Sequence, residues 1–220
     1  MTQQDRGLIG RAVGCMIRRS VRRSFRHVRW RPPLRVPQSP CVFYANHHGW
    51  FDGYLMYCAV TRLGVPCLDW IQEYDTFPLF GHVGGLPFPK DKPEVRAGTI
   101  RKTIRAMREG TSLILFAEGT LHYPPEVLPF GRAFDLVARS VPDASLIPVA
   151  IRYEHALHER PEAYLAFGEP LGSDRTRTRA REVLADLLDD LACDIRRGAP
   201  FETLCPGTPS INERWSWKRP

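Results

Sequence analysis

From about Val36 onward the chain alternates short apolar runs with stretches of helical spacing, and this alternation narrows the fold more than any other feature. Cys41-Val42-Phe43-Tyr44-Ala45 is a compact run of the kind buried on both faces of a sheet. It predicts a strand leading into a helix through about Val60. Cys67-Leu68-Asp69-Trp70 reads as a weaker strand. Pro93 suits the first turn of a helix that runs to Glu109 and stops at Gly110. Leu113–Ala117 is the clearest strand, and a helix around Phe134–Ser140 follows it. Leu146–Ile151 is another buried strand, in which Pro148 predicts an edge position or a break in pairing. Tyr164–Phe167 is short and apolar, and Arg177–Arg197 is a long amphipathic helix with Val183, Leu184, Leu187, Leu188 and Leu191 inward. Strands alternating with helices point to an α/β fold, a mixed central sheet flanked by helices.

The two ends differ from this middle. Residues 6–31 carry Arg6, Arg11, Arg18, Arg19, Arg22, Arg23, Arg26, Arg29 and Arg31, with Asp5 the nearest acid. Ile9, Val13, Met16, Ile17, Val21, Phe25 and Val28 recur at helical spacing through the same segment. The pattern predicts a basic amphipathic helix ending before Pro32-Pro33. Such a helix either lies in an anionic membrane interface or packs on its own domain with the arginines in water. Nucleic acid is disfavoured as the partner, because aromatic stacking residues are sparse there. The expected organisation is a membrane-contact helix over 1–35, a main domain over 36–198, and a tail over 199–220 rich in proline and closing on Trp215 and Trp217.

A net charge of +7 and a pI of about 9.3 favour an anionic partner. The six cysteines are irregularly spaced without a Cys-x-x-Cys pair, which argues against a disulfide framework or a zinc site. No stretch approaches the ~20 apolar residues of a membrane span, and no secretory leader is expected. The expected placement is cytoplasmic, peripherally associated with the inner face of the membrane.

The candidate chemistry lies in Asn46-His47-His48-Gly49-Trp50-Phe51-Asp52, directly after the first buried strand. The carboxyl end of a strand in an α/β sheet is the usual place for a site. A histidine at a helix N-terminus meets the positive end of the helix dipole, which favours the neutral, proton-accepting imidazole. Asp52 can hold one ring nitrogen and leave the other as general base. Helical spacing pairs Asp52 with His48 more naturally than with His47, since i and i+4 share a face. The same three side chains also read as metal ligands or as a hydrogen-bonded helix start.

Further blocks follow in order. Asn46-His47, four residues, then Asp52 resembles the first block of the glycerolipid acyltransferase family. Gly85-Leu86-Pro87-Phe88-Pro89-Lys90 resembles its second block, with lysine in place of arginine. Phe116-Ala117-Glu118-Gly119-Thr120 resembles its third and Leu146-Ile147-Pro148-Val149 its fourth, and Phe167-Gly168-Glu169-Pro170 is like a strand end near the domain's close. The resemblance covers roughly residues 36–172. It implies that His47 deprotonates an acceptor hydroxyl, that Asp52 orients it, and that the oxygen attacks an acyl thioester directly. Glu118, Gly119 and Thr120 then shape the acceptor site, Lys90 stands where the family binds phosphate, and His48 is a pocket neighbour. The implied partners are acyl-CoA or acyl-carrier protein and a lipid acceptor, with no cofactor and no metal.

The match fails where the third block normally continues with arginine and serine, because Leu121-His122 stands there instead. Arginine offers phosphate a planar fork, whereas lysine offers a point charge. A phosphorylated acceptor therefore needs His122 or Arg132 in compensation, and an acceptor without phosphate fits equally well. Two alternatives remain: a non-catalytic lipid-binding relative, and a metal-dependent hydrolase built on His47, His48 and Asp52.

Overall fold

The computed structural model describes residues 7–38, 40–155 and 157–215. In chain order the elements are α1 (Leu8–Ser24), β1 (His27–Arg31), β2 (Cys41–Ala45), α2 (Asp52–Leu63), β3 (Cys67–Ile71), β4 (Gly85–Pro87), α3 (Pro93–Arg108), β5 (Ser112–Phe116), α4 (Arg132–Ser140), β6 (Ser145–Glu154), β7 (Glu162–Phe167), α5 (Arg177–Arg196), β8 (Glu202–Pro206) and α6 (Ile211–Arg214). Two short 3₁₀ segments, Tyr74–Thr76 and Pro78–Val83, connect β3 to β4.

The strands form one mixed sheet in the order β4-β3-β5-β2-β6-β7-β1-β8. The β4 to β6 part is parallel throughout, and β6–β7 and β1–β8 are the antiparallel pairs. All five residues of β2 are buried, as expected of a strand with a helical layer on each face. On one side Val13, Ile17 and Val21 of α1 and Leu55, Met56 and Ala59 of α2 pack with Phe43, Ala45, Ile147 and Val149. On the other Met107 of α3, Phe134 and Val137 of α4, and Leu184, Leu188 and Leu191 of α5 pack with Val42, Tyr44 and Leu146. Each large side chain fully buried in these layers contributes roughly 1.5–3 kcal/mol of transfer free energy.

The ends depart from the sequence expectation. The N-terminal helix stops at Ser24, and His27–Arg31 is a strand that pairs with β7 and β8. Val28 and Trp30 point inward there and Arg29 and Arg31 alternate with them, so the segment has period two as well as helical spacing. Phe25 caps α1 in extended conformation. Residues 199–215 are likewise no loose tail, since β8 extends the sheet and α6 closes it with a capping box at Ser210 and Glu213. The core therefore reaches beyond 36–198 at both ends. Trp217 and Arg6 lie outside the described residues.

Pro148 sits in an interior strand rather than at an edge, opposite Tyr44 of β2. Its carbonyl accepts from Gly168 N–H, and the β6–β7 ladder begins one residue later at Val149. The missing proline donor thus falls at the last rung of that ladder and breaks nothing.

A single consequence positions the site. The carboxyl ends of parallel β2, β5 and β3 open on the same side of the sheet, so the loops after Ala45, Phe116 and Ile71 meet there.

Candidate functional site

The loop from Ala45 into α2 is locked by Asn46. Its side-chain amide makes both hydrogen bonds that a further strand residue would make to β6: Oδ1 accepts from Ile151 N at 2.8 Å and Nδ2 donates to Ile151 O at 2.9 Å. The pair continues the β2–β6 ladder through a fully buried side chain, while the backbone is freed to turn.

That turn places His47 over Phe116, the rings stacked at 4.5 Å between centroids. His47 Nδ1 donates to Asp52 Oδ2 at 2.9 Å, which leaves Nε2 as the nitrogen able to accept a proton. The choice between the two histidines is thus made by loop geometry: residues 46–51 precede the helix, so the i, i+4 rule that favoured His48 does not apply to them. Asp52 opens α2 with its side chain wholly buried. It takes two further donors, the Gly49 N–H at 2.9 Å on Oδ2 and the Tyr153 hydroxyl on Oδ1. Burial and the neighbouring Asp52 charge hold the Tyr153 phenol well above its ordinary value, so it stays a donor.

Sequence reasoning does not find Tyr153. It lies on β6, 101 residues from Asp52, and only the sheet order brings the two together. Its ring packs against Phe25 and lies directly over Gly49, where a Cβ would stand 2.3 Å from Tyr153 Cε2. Glycine at 49 is therefore required by close approach, not by conformation.

Glu118 ties three loops together. Oε1 accepts the His47 backbone N–H at 2.8 Å, and Oε2 takes His122 Nε2 at 2.5 Å and Leu128 N–H at 2.6 Å. The His122 N–H in turn donates to His47 O at 3.1 Å. Gly119 has φ +69°, which glycine adopts without penalty, and its carbonyl accepts from Gln72 Nε2 at 2.7 Å. Lys90 Nζ donates to Thr120 Oγ1 at 3.3 Å, so Lys90 and Thr120 share one rim.

His48 stands apart from Asp52. Its Nδ1 accepts from Asn46 Nδ2 at 3.1 Å, its Nε2 donates to Glu126 O at 2.9 Å, and its ring lies edge-on to His122 at 4.7 Å. Burial lowers its basicity. His47, His48 and Asp52 consequently do not converge as a ligand set, which removes the geometric basis of the hydrolase alternative. Arg132 opens α4, exposed, and takes no part in these hydrogen bonds. Leu121, where arginine was expected, is also exposed.

A sequence model of the acyltransferase family matches residues 27–152, more than half of the chain. The chain belongs to the acyltransferase family. Its fold agrees with that of an acyltransferase of known structure, the 1-acyl-sn-glycerophosphate acyltransferase PlsC from Thermotoga maritima. The two are 17% identical with a TM-score of 0.63, over 86% of this chain and 82% of that one. No curated protein sequence matches it. As an acyltransferase it takes an acyl donor and an acyl acceptor. The family match begins at His27, the first residue of β1, and ends within β6, one residue before Tyr153. Among the described residues no helix is long and apolar enough to cross a membrane.

Proposed function

We propose that this acyltransferase moves a fatty acyl group from a thioester, acyl-CoA or acyl-carrier protein, to a hydroxyl of a lysophospholipid or other lipid-like acceptor. The observation that carries the reading is the buried Asp52 carboxylate holding His47 Nδ1 at 2.9 Å with Nε2 left free.

His47 Nε2 takes the proton of the acceptor hydroxyl as its oxygen attacks the thioester carbonyl. Asp52 keeps the ring in the correct tautomer and stabilises the imidazolium that forms. The Gly49 N–H and Tyr153 O–H fix the carboxylate in turn. On collapse of the tetrahedral adduct the C–S bond breaks, the acyl group remains on the acceptor oxygen, and the thiol leaves with a proton. No serine or cysteine intermediate is required.

Lys90, Glu118, Gly119 and Thr120 belong to the acceptor side. Glu118 acts by holding the His47 loop, since its oxygens are already engaged. Lys90 on Thr120 is a cation available to a phosphate, and an ammonium there with Leu121 in place of arginine fits a weakly charged or uncharged headgroup as well as lysophosphatidate. The protein works on the inner face of the cytoplasmic membrane, held peripherally through α1.

Replacing His47 by Ala is expected to abolish transfer, about 10²–10⁴-fold or more, without altering the fold. Thioester turnover with a panel of lysolipid acceptors, beside the circular dichroism of the variant, checks this. Retained turnover would sink the assignment, and turnover absent from the wild type with every acceptor would favour a lipid-binding relative.

A further inference from the structure

His48, Glu118 and His122 each offer one ligand atom, all within 4.8 Å of one another, and the acyl-transfer chemistry does not use this grouping. Both imidazoles already donate one N–H to a main-chain carbonyl: His48 Nε2 to Glu126 O at 2.9 Å, and His122 Nδ1 to Tyr123 O at 3.0 Å. Metal-bound histidines are held in this way, because the carbonyl fixes the tautomer and turns the other nitrogen inward as a lone pair. The inward atoms are His48 Nδ1 and His122 Nε2.

His122 makes the point sharper. With Nδ1–H committed to Tyr123, its Nε2 lone pair would face the Glu118 Oε2 carboxylate oxygen at 2.5 Å. Two acceptors do not approach so closely unless a cation, proton or metal, lies between them.

We propose that His48, Glu118 and His122 form a binding site for one divalent transition-metal ion of the zinc class. Two imidazole nitrogens and one carboxylate oxygen suit zinc and its neighbours, and disfavour magnesium or calcium, which take oxygen ligands. Three protein ligands leave a fourth tetrahedral position for water or an oxygen of a bound molecule. Zinc–ligand bonds near 2.0–2.1 Å place ligand atoms about 3.3 Å apart, so His122 must retreat from Glu118 by under about 1 Å while separations of up to 4.8 Å close to that distance. The exposed segment 123–126 that carries its carbonyl anchor leaves it room. His48 gives up its 3.1 Å contact with Asn46, whose bonds to Ile151 are untouched. Glu118 Oε1 remains on the His47 N–H and Oε2 keeps the Leu128 N–H on its second lone pair, so the ion would brace the loop that carries the proposed base.

The test measures metal, not turnover, and is therefore independent of the acyl-transfer reading. The full chain is stripped with a chelator, equilibrated with Zn²⁺ or Co²⁺, and its metal content read by elemental analysis and chelator competition. One ion per chain is expected, and the cobalt form should show no thiolate charge-transfer band despite six cysteines. His122→Gln keeps a donor for Glu118 but removes the imidazole, and should weaken zinc binding by at least about tenfold, as should His48→Ala. His82→Ala, at an exposed histidine elsewhere, should bind as the parent does. If His48→Ala fails to fold by circular dichroism, His122→Gln alone decides. No bound ion in the parent, a thiolate band, or unchanged affinity in His122→Gln overturns the proposal.

Discussion

At the scale of single residues the site is a question of how a buried carboxylate is held. Asp52 is held by His47, the Gly49 N–H and the Tyr153 hydroxyl, and hydrogen bonds to a charged group are worth about 1.5–3 kcal/mol each. Tyr153→Phe removes one of them and keeps the ring on Phe25. It should lower kcat about tenfold with little change in KM, because the phenol touches Asp52 and not the acceptor; steady-state kinetics check this, and an unchanged kcat would leave Tyr153 a packing residue. A second acid, half-buried, is shifted by its surroundings. Asp69 on β3 is raised to about 7 by burial, with the Trp70 N–H compensating only in part, and its Oδ1 has no hydrogen-bond partner among the described residues. The native state therefore keeps a proton that the unfolded chain, with a carboxyl near 3.9, releases. Its contribution to stability is whole below about pH 4 and is lost as pH rises through about 7. Asp69→Asn should accordingly stabilise the protein at pH 8 by about 1–4 kcal/mol and far less at pH 5, read by thermal melts at the two values. The pairing of His47 with Asp52 was visible as a motif. Tyr153 was not, because nothing in Ser145–Glu154 distinguishes that tyrosine from any other at a strand end.

Elements whose two faces are both covered were legible, because a continuous apolar run says buried strand whatever its neighbours. β2 and β5 are of this kind, whereas α3 and α5 were legible from their stop signals and one-sided apolar spacing. The ends were not, for a physical reason: Val21, Phe25 and Val28 continue the helical spacing while Val28 and Trp30 keep strand spacing, and only the partners β7 and β8 decide between them. Those partners lie more than a hundred residues away. β8 in turn is short and half exposed, so its sequence hardly differs from a loop. What holds it is backbone fit. Past β8 the chain runs against Phe25 and Arg26, where a Cβ on Gly207 would fall 2.0 Å from Arg26 O and 2.5 Å from Phe25 O. Rigid carbonyls, not a movable side chain, occupy that space. Gly207→Ala should therefore push the C-terminal segment off β1 and disturb the Thr208 N–H bond to Phe25 O and the Arg26–Glu213 pair. A loss of about 1–3 kcal/mol in denaturant unfolding is expected, against almost none for Gly172→Ala, which meets open space.

For the molecule as a whole the remaining question is where a chain of net charge +7 keeps its charge. Not every arginine of the first segment is available. Arg26 is engaged by Glu162 and Glu213, and Arg31 by Asp194 at 2.6 Å, so these two hold the fold together. Val13, Ile17 and Val21 are likewise spent on the core, and α1 packs on the domain along that face. The opposite face is left with Arg11, Arg18, Arg19, Arg22 and Arg23 exposed beside Leu8, Ile9 and Met16. Packing and membrane contact are therefore not rivals, since one helix presents a different side to each. Arg19, Arg22 and Arg23 share a helical surface at i, i+3 and i+4, and each arginine near an anionic bilayer is worth about 1 kcal/mol. Reversing all three to Glu should weaken binding to anionic vesicles by at least about a hundredfold, since about 1.4 kcal/mol is tenfold. Parent binding should also fall steeply between low and high salt, because exposed charges are screened within about 10 Å at 0.1 M. Vesicle sedimentation with neutral and anionic lipid separates the contributions: the arginines account for the anionic increment, and Leu8, Ile9 and Met16 for whatever binding survives on neutral lipid. Equal binding of parent and triple variant to anionic vesicles would leave the arginine face a solvated surface and move the membrane contact elsewhere on the molecule.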